Sequence, residues 1–246
     1  MTDTIAAQSS PMPAPQRLPA RAIGVLTSPR ATYAGVAACP RWFGMLALVL
    51  VISMTCVFAF LSTDAGKDAF LDQQVRQTES FSGRPMTDDQ YARVQKMLPY
   101  SPYIGAAGQL VVLPLAALLI AGISFAVFTA LLGGDGTFKQ TFAVVAHSGM
   151  VITLSQLFMT PLNYARGTMS SATNLGVFAP FLDEGSFAAH LLGSIDLFIL
   201  WWAISLAIGL GVLYKKRTGP IATSLIVVYV AIGVIIAAYK SAVAGA

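Results

Sequence analysis

The sequence predicts an all-α integral membrane protein: a bundle of five transmembrane helices with a short amphipathic N-terminal helix and a partly helical outer loop. Three observations carry this. Of 246 residues, 56% are hydrophobic and 11% charged, against roughly 25% charged in an ordinary soluble domain, which excludes a simple soluble globule. The apolar residues fall in several separate stretches, each near the ~20 residues that cross a bilayer, and give a mean hydropathy of +0.69. The formal charge of +4 is spread along the chain, with no basic run longer than the three residues Lys215-Lys216-Arg217, so it reads as membrane-topology charge and not as a nucleic-acid footprint.

Residues 1–20 are rich in Pro, Ala and Ser and lack the basic-then-apolar order of a secretory signal, so they read as a disordered tail ahead of a single membrane domain over 21–246. Ser28-Pro29 has the form of an N-cap followed by N1 and opens a helix over Arg30 to Ala38 at the membrane interface. The spans follow at 43–61, 106–132, 142–162, 191–213 and 221–238. In the loop between the first two, Thr87-Asp88-Asp89-Gln90 is a capping-box pattern. Tyr91, Val94, Met97 and Leu98 follow at helical spacing, and Pro99 closes the segment. Cys39 and Cys56 read as free thiols.

Charge sets the orientation. Arg17, Arg21, Arg30 and Arg41 precede the first span, and Lys215, Lys216 and Arg217 join the last two. In a five-span chain these segments share a side, and short basic loops stay cytoplasmic. The N-terminus is then inside and Ala246 outside, as expected of a multi-pass protein of a bacterial inner membrane. The loop 62–105 falls outside, with six acidic residues (Asp64, Asp68, Asp72, Glu79, Asp88, Asp89) against five basic ones.

Ionisable groups inside spans are functional candidates, because a charge at the bilayer centre costs at least ~2.5 to 3.5 kcal/mol. Asp196 is about five residues inside the fourth span from its outer end and His147 about five inside the third from its inner end, each roughly 8 Å deep. Across a ~30 Å core they are about 14 Å apart in depth and do not pair. Depth groups Asp196 with Gln156 and Gln109, near Ser194 and Asn163, as a polar layer. Two readings stand for that layer: a protonatable or ligand-contacting site, or a structural hub joining three spans. His147 is either a relay or an interior histidine bonded to Ser148 or a backbone carbonyl; with His190 as the other histidine it makes no metal site. Ala203, Ala207 and Gly211, spaced by four, form a small-residue ridge for internal packing or for a partner. Trp201-Trp202 reads as packing, Pro114 as a candidate kink, and Gly133-Gly-Asp-Gly136 as a flexible turn. Neither a Gly-x-x-x-x-Gly-Lys nor a Gly-x-Ser-x-Gly signature occurs.

Three segments stand out: Arg21-Ala-Ile-Gly-Val-Leu-Thr-Ser-Pro29-Arg, Gly133-Gly-Asp-Gly-Thr-Phe-Lys139-Gln and Ser194-Ile-Asp196-Leu-Phe-Ile-Leu-Trp201-Trp. In this order they resemble the bacterial branch of the Yip family, the Ypt/Rab-interacting membrane proteins. The resemblance covers about residues 20 to 240 and implies five spans with a cytoplasmic N-terminus. It further implies adaptor roles around prenylated Rab-type GTPases in eukaryotic relatives and accessory association with ABC exporters in some bacterial ones. The expected function is a non-enzymatic scaffold or accessory subunit working through lipid and another membrane protein, an ABC-type exporter being one candidate, or through homo-oligomers. No cofactor, metal or nucleic acid is expected. Lys215, Lys216 and Arg217 are placed to meet anionic headgroups at roughly 1 kcal/mol each. The alternative is a small oligomeric transporter or channel with Asp196 as its protonatable site.

Overall fold

The computed structural model describes residues 16–183 and 185–244, so the expectation for residues 1–15 and for Ala246 lies outside the described residues. The chain is all helical: α1 (Leu18–Thr27), α2 (Pro29–Ala38), α3 (Phe43–Leu61), α4 (Asp64–Ser82), α5 (Asp88–Met97), α6 (Ser101–Phe125), α7 (Phe138–Arg166), α8 (Phe187–Ser194), α9 (Leu197–Leu213) and α10 (Thr218–Ala244). Among the described residues four helical stretches are long and apolar enough to cross a membrane: Phe43–Leu61, Asp88–Leu131, Phe138–Arg166 and Thr218–Val243; Leu197–Leu213 is apolar but shorter, at 17 residues. An all-α membrane bundle is therefore what the chain forms.

α7 is the central helix. Every residue from Thr141 to Ser148 is buried, as expected of a helix packed on all sides. α3, α9, α6, α1 and α2 surround that segment. Its start is fixed by a capping box in which Thr137 accepts from the Gln140 N–H and the Gln140 side chain accepts from the Thr137 N–H. Its end is set by Gly167 in the left-handed region at φ +59°.

α2 begins at Pro29 with Ser28 as N-cap, as its sequence requires, but it does not simply lie on a membrane surface. Tyr33 and Val36 are 0% and 1% exposed, and they join Val25 of α1, Val144 of α7 and Leu206 of α9 in the main core. Gly209 makes this convergence possible. A Cβ there meets Val144 Cγ1 at 2.5 Å and the Tyr33 ring at 3.0 Å, closer than side chains pack.

Two helices go beyond the sequence expectation. The tail ends early, because α1 already starts at Leu18 with Pro19 in its first turn. The segment between α3 and α6 carries α4 as well as the expected α5. Thr63 caps α4 by accepting from the Gly66 N–H, and Gly83, at φ +68°, closes it. The α3–α4 corner is so tight that a Cβ on Gly66 would overlap the Phe60 carbonyl.

The fourth expected span, 191–213, is broken. Ile195 and Asp196 are extended, and α8 and α9 are separate helices. The physical reason is local: Asp196 caps α9 by accepting the Phe198 N–H at 2.8 Å, and a carboxylate used this way favours a helix start over a helix interior.

Candidate functional site

The polar side chains collect at the two ends of the bundle. At the end carrying α1 and α2, Arg21 Nη1 donates to His147 Nε2 at 3.1 Å and to the Arg41 carbonyl at 2.9 Å. A guanidinium only donates, so His147 Nε2 accepts, and Nδ1–H donates to the Ala143 carbonyl at 2.7 Å. Both ring nitrogens are thus occupied, in a neutral tautomer fixed by its partners. Burial and the positive charge of Arg41 both push the Arg21 guanidinium below its ordinary pKa.

Around this link, polar ties join α2, α7, α9 and the segment leading from α6 to α7. Tyr33 Oη pairs with Ser205 Oγ at 2.8 Å, joining α2 to α9. Burial pushes the Tyr33 hydroxyl upward, and the bond to Ser205 opposes it. Trp202 Nε1 donates to Ser148 Oγ at 3.1 Å, and Gln140 Nε2 donates to the Ala37 carbonyl at 2.9 Å. Tyr214 Oη bonds Thr141 Oγ1 at 2.7 Å and Thr129 Oγ1 at 3.2 Å, while Thr129 donates to the Gly136 carbonyl.

The Gly133–Gly136 turn is accordingly no loose connection. Cβ atoms on Gly134 and Gly136 would stand 2.7 and 2.6 Å from the Tyr214 ring. The glycines are there so that the turn can lie flat on that ring.

At the opposite end Asp196 is held by polar neighbours outside the helices. Ser171 Oγ donates to its Oδ2, as does Thr173 Oγ1 at 2.8 Å. Its N–H donates to Tyr229 Oη at 2.9 Å, and that hydroxyl donates to the Ser194 carbonyl at 2.6 Å. Asp196 therefore sits at a helix end in a serine–threonine cradle, not a turn and a half inside a continuous span. Among the described residues, neither Gln156 nor Gln109 is a hydrogen-bond partner of Asp196. Gln156 Oε1 and Asn163 Oδ1, both on α7, are buried without a partner among the described residues.

The ridge faces inward. Ala203 and Ala207 are buried, and a Cβ on Gly211 meets Thr218 Oγ1 at 3.0 Å across the α9–α10 turn. It seats helices of this chain and leaves no surface for a partner. Lys215, Lys216 and Arg217 are exposed on that turn, with Lys215 at φ +54°. Cys39 and Cys56 are free. An apolar cleft of about 140 Å³ opens between α3, α6, α7 and α9, lined by Leu46, Val49, Ala117, Ile120, Gly149 and Trp202 among others.

Sequence reasoning missed Arg21, Tyr33, Ser205 and Tyr214 as a group. Two signals pointed toward it: Arg21 opens the first family-like segment, and the paired glycines 134 and 136 announce a close approach by something large.

The chemistry at both ends is positioning. Hydroxyls, amides, one indole, one guanidinium and one neutral imidazole tie α1, α2, α7, α9 and α10 to one another or to the adjoining segments. No curated protein and no solved structure matches the chain. A family model described as Yip1 domain matches residues 23–239, which contain all the ties among α2, α7 and α9. The chain is therefore a multi-pass membrane protein and belongs to the Yip1 domain family.

Proposed function

We propose that this Yip-family chain is a non-enzymatic scaffold or accessory subunit that works through lateral contacts with another membrane protein and with lipid. The observation supporting it is where the free surface lies. Tyr33, His147, Ser148, Ser205 and Tyr214 are engaged in internal ties, and the small-residue ridge is covered by the chain itself. What stays open is apolar and lateral: Val111, Leu115, Leu119 and Ile123 of α6, and Val227, Val228, Ile232 and Ile235 of α10. These flanking faces offer aliphatic contact and no reactive group.

The proposed topology has five crossings, with α9 as the short one, the N-terminus cytoplasmic and the acidic α4–α5 region outside, in a bacterial inner membrane. At about 26 Å for its 17 residues, α9 approaches the ~30 Å hydrocarbon thickness. Lys215, Lys216 and Arg217 then face anionic headgroups, and an ABC-type exporter is the partner class the family resemblance suggests. What speaks for the scaffold over a transporter is that the polar atoms of Asp196 and His147 are engaged within the chain.

The test is extraction of the tagged full chain in native lipid particles without detergent, followed by mass spectrometry of co-purifying proteins. A stoichiometric exporter or other transport subunit is the expected result. Recovery with lipid alone, together with proton flux in proteoliposomes abolished by Asp196→Asn, contradicts the scaffold reading.

A further inference from the structure

We infer that Arg21 and Arg41 form a binding site for the phosphate of a membrane phospholipid, at the corner where α1 crosses the start of α3. The site is separate from the Lys215–Arg217 turn and does not depend on any lateral protein partner.

The first ground is an uncompensated charge. Arg21 spends Nη1 on two neutral acceptors, the Arg41 carbonyl and His147 Nε2. These bonds fix the plane of the guanidinium without neutralising it. Its Nε is buried with no partner among the described residues. A buried, unpaired donor on a cation is costly, more so than on a neutral group. The carbonyl bond also brings the Arg41 backbone to the same point, and the Arg41 side chain is exposed. Two like charges thus share one corner.

Among the described residues nothing acidic answers them. No Asp or Glu occurs between Gln16 and Thr63. Among the described residues the ion pair that forms is Lys67 with Asp64, on α4 beyond the far end of α3. Asp135, in the α6–α7 turn, is exposed and unpaired among those residues.

The second ground is position. Arg41 lies two residues before Phe43, where the apolar run of α3 begins, and Trp42 and Phe43 stack edge-on beside it. Aromatic residues flanking the start of a span mark the headgroup level, where phosphates are the available anions. Guanidinium is the side chain best matched to that group, because its fork of donors meets two phosphate oxygens at once. Trp42 supplies no side-chain cap to α3, so the first N–H groups of that helix add donors at the same corner.

The experiment uses the purified, delipidated full chain and native mass spectrometry with three probes: dioleoylphosphatidylglycerol, phosphate-free dioleoylglycerol, and free sn-glycerol 3-phosphate. Retention of phosphatidylglycerol and not of dioleoylglycerol is expected. Arg41→Gln, on an exposed side chain that leaves the core intact, weakens retention about tenfold, the loss of one charge-assisted bond. Arg21→Gln weakens it at least as much, and neutralising Lys215, Lys216 and Arg217 together leaves it unchanged. Retention unaltered in both arginine variants, or lost only in the triple variant, overturns the site. Displacement of phosphatidylglycerol by equimolar glycerol 3-phosphate overturns the lipid as the source and assigns a free phosphate anion instead.

Discussion

Tyr214 Oη lies 2.7 Å from Thr141 Oγ1, so the end of α9 is tied to the first turn of α7. Near the other end, the Phe158 and Phe198 rings stand 6.0 Å apart, so α9 runs antiparallel to α7 along most of its length. The α9–α10 turn and the α6–α7 turn therefore share one end of the bundle. Replacing Tyr214 by Phe removes its bonds to Thr141 and Thr129 while keeping the ring on Gly134 and Gly136. A loss of about 0.5–1.5 kcal/mol is expected, read as a lower unfolding midpoint in detergent.

The Tyr33–Ser205 pair tests whether α2 belongs to the bundle. Tyr33→Phe leaves Ser205 Oγ without its partner in a dry core, and Ser205→Ala does the same to the phenol. Each costs about 1–3 kcal/mol. The double variant costs less than the sum of the singles, and a strictly additive cycle contradicts the contact.

Gly209 is the position least tolerant of added volume. Gly209→Val drives methyl groups into Val144 and the Tyr33 ring, and overpacking of this kind costs about 1–3 kcal/mol. Gly219, with open space at its Cβ position, is the control; Gly219→Ala leaves the midpoint unchanged or raises it slightly.

Asp196 separates capping from charge. Asn is as good an N-cap as Asp, so Asp196→Asn keeps the α8–α9 corner. Asp196→Ala loses the cap and leaves Ser171 and Thr173 without their acceptor, at about 0.5–2 kcal/mol for the cap alone. Hydrogen exchange should rise at Phe198 and its neighbours in the Ala variant and stay low in the Asn variant. Equal exchange in both removes the structural role assigned to the carboxylate.

Much of this fold is legible from composition. α3 occupies Phe43–Leu61 as its apolar run requires, and the box at Thr87 and the N-cap at Ser28 stand where their residues place them. Hydropathy could not show that one apolar window holds two helices, since it averages over the local preference of Asp196 for a helix start. Nor does it reveal α4, which is polar on most of its surface, packs a short apolar patch at Ala69 and Phe70 against α3, and is marked by Thr63 and Gly83 at its ends. The polar ties were hidden for a different reason. Tyr33 and Ser205 are 172 residues apart and Arg21 and His147 are 126 apart, and no periodicity reports contacts at that range.

The most direct test of the account asks on which side of the membrane the α9–α10 turn lies. In a background of Cys39→Ser and Cys56→Ala, single cysteines are placed at Asp89 and at Lys216 in intact cells and challenged with an impermeant thiol reagent. With α9 crossing, Asp89→Cys reacts from outside and Lys216→Cys reacts only after the inner face is opened. Reaction of both from outside means that α9 does not cross, which contradicts the five-crossing topology on which the proposed function rests.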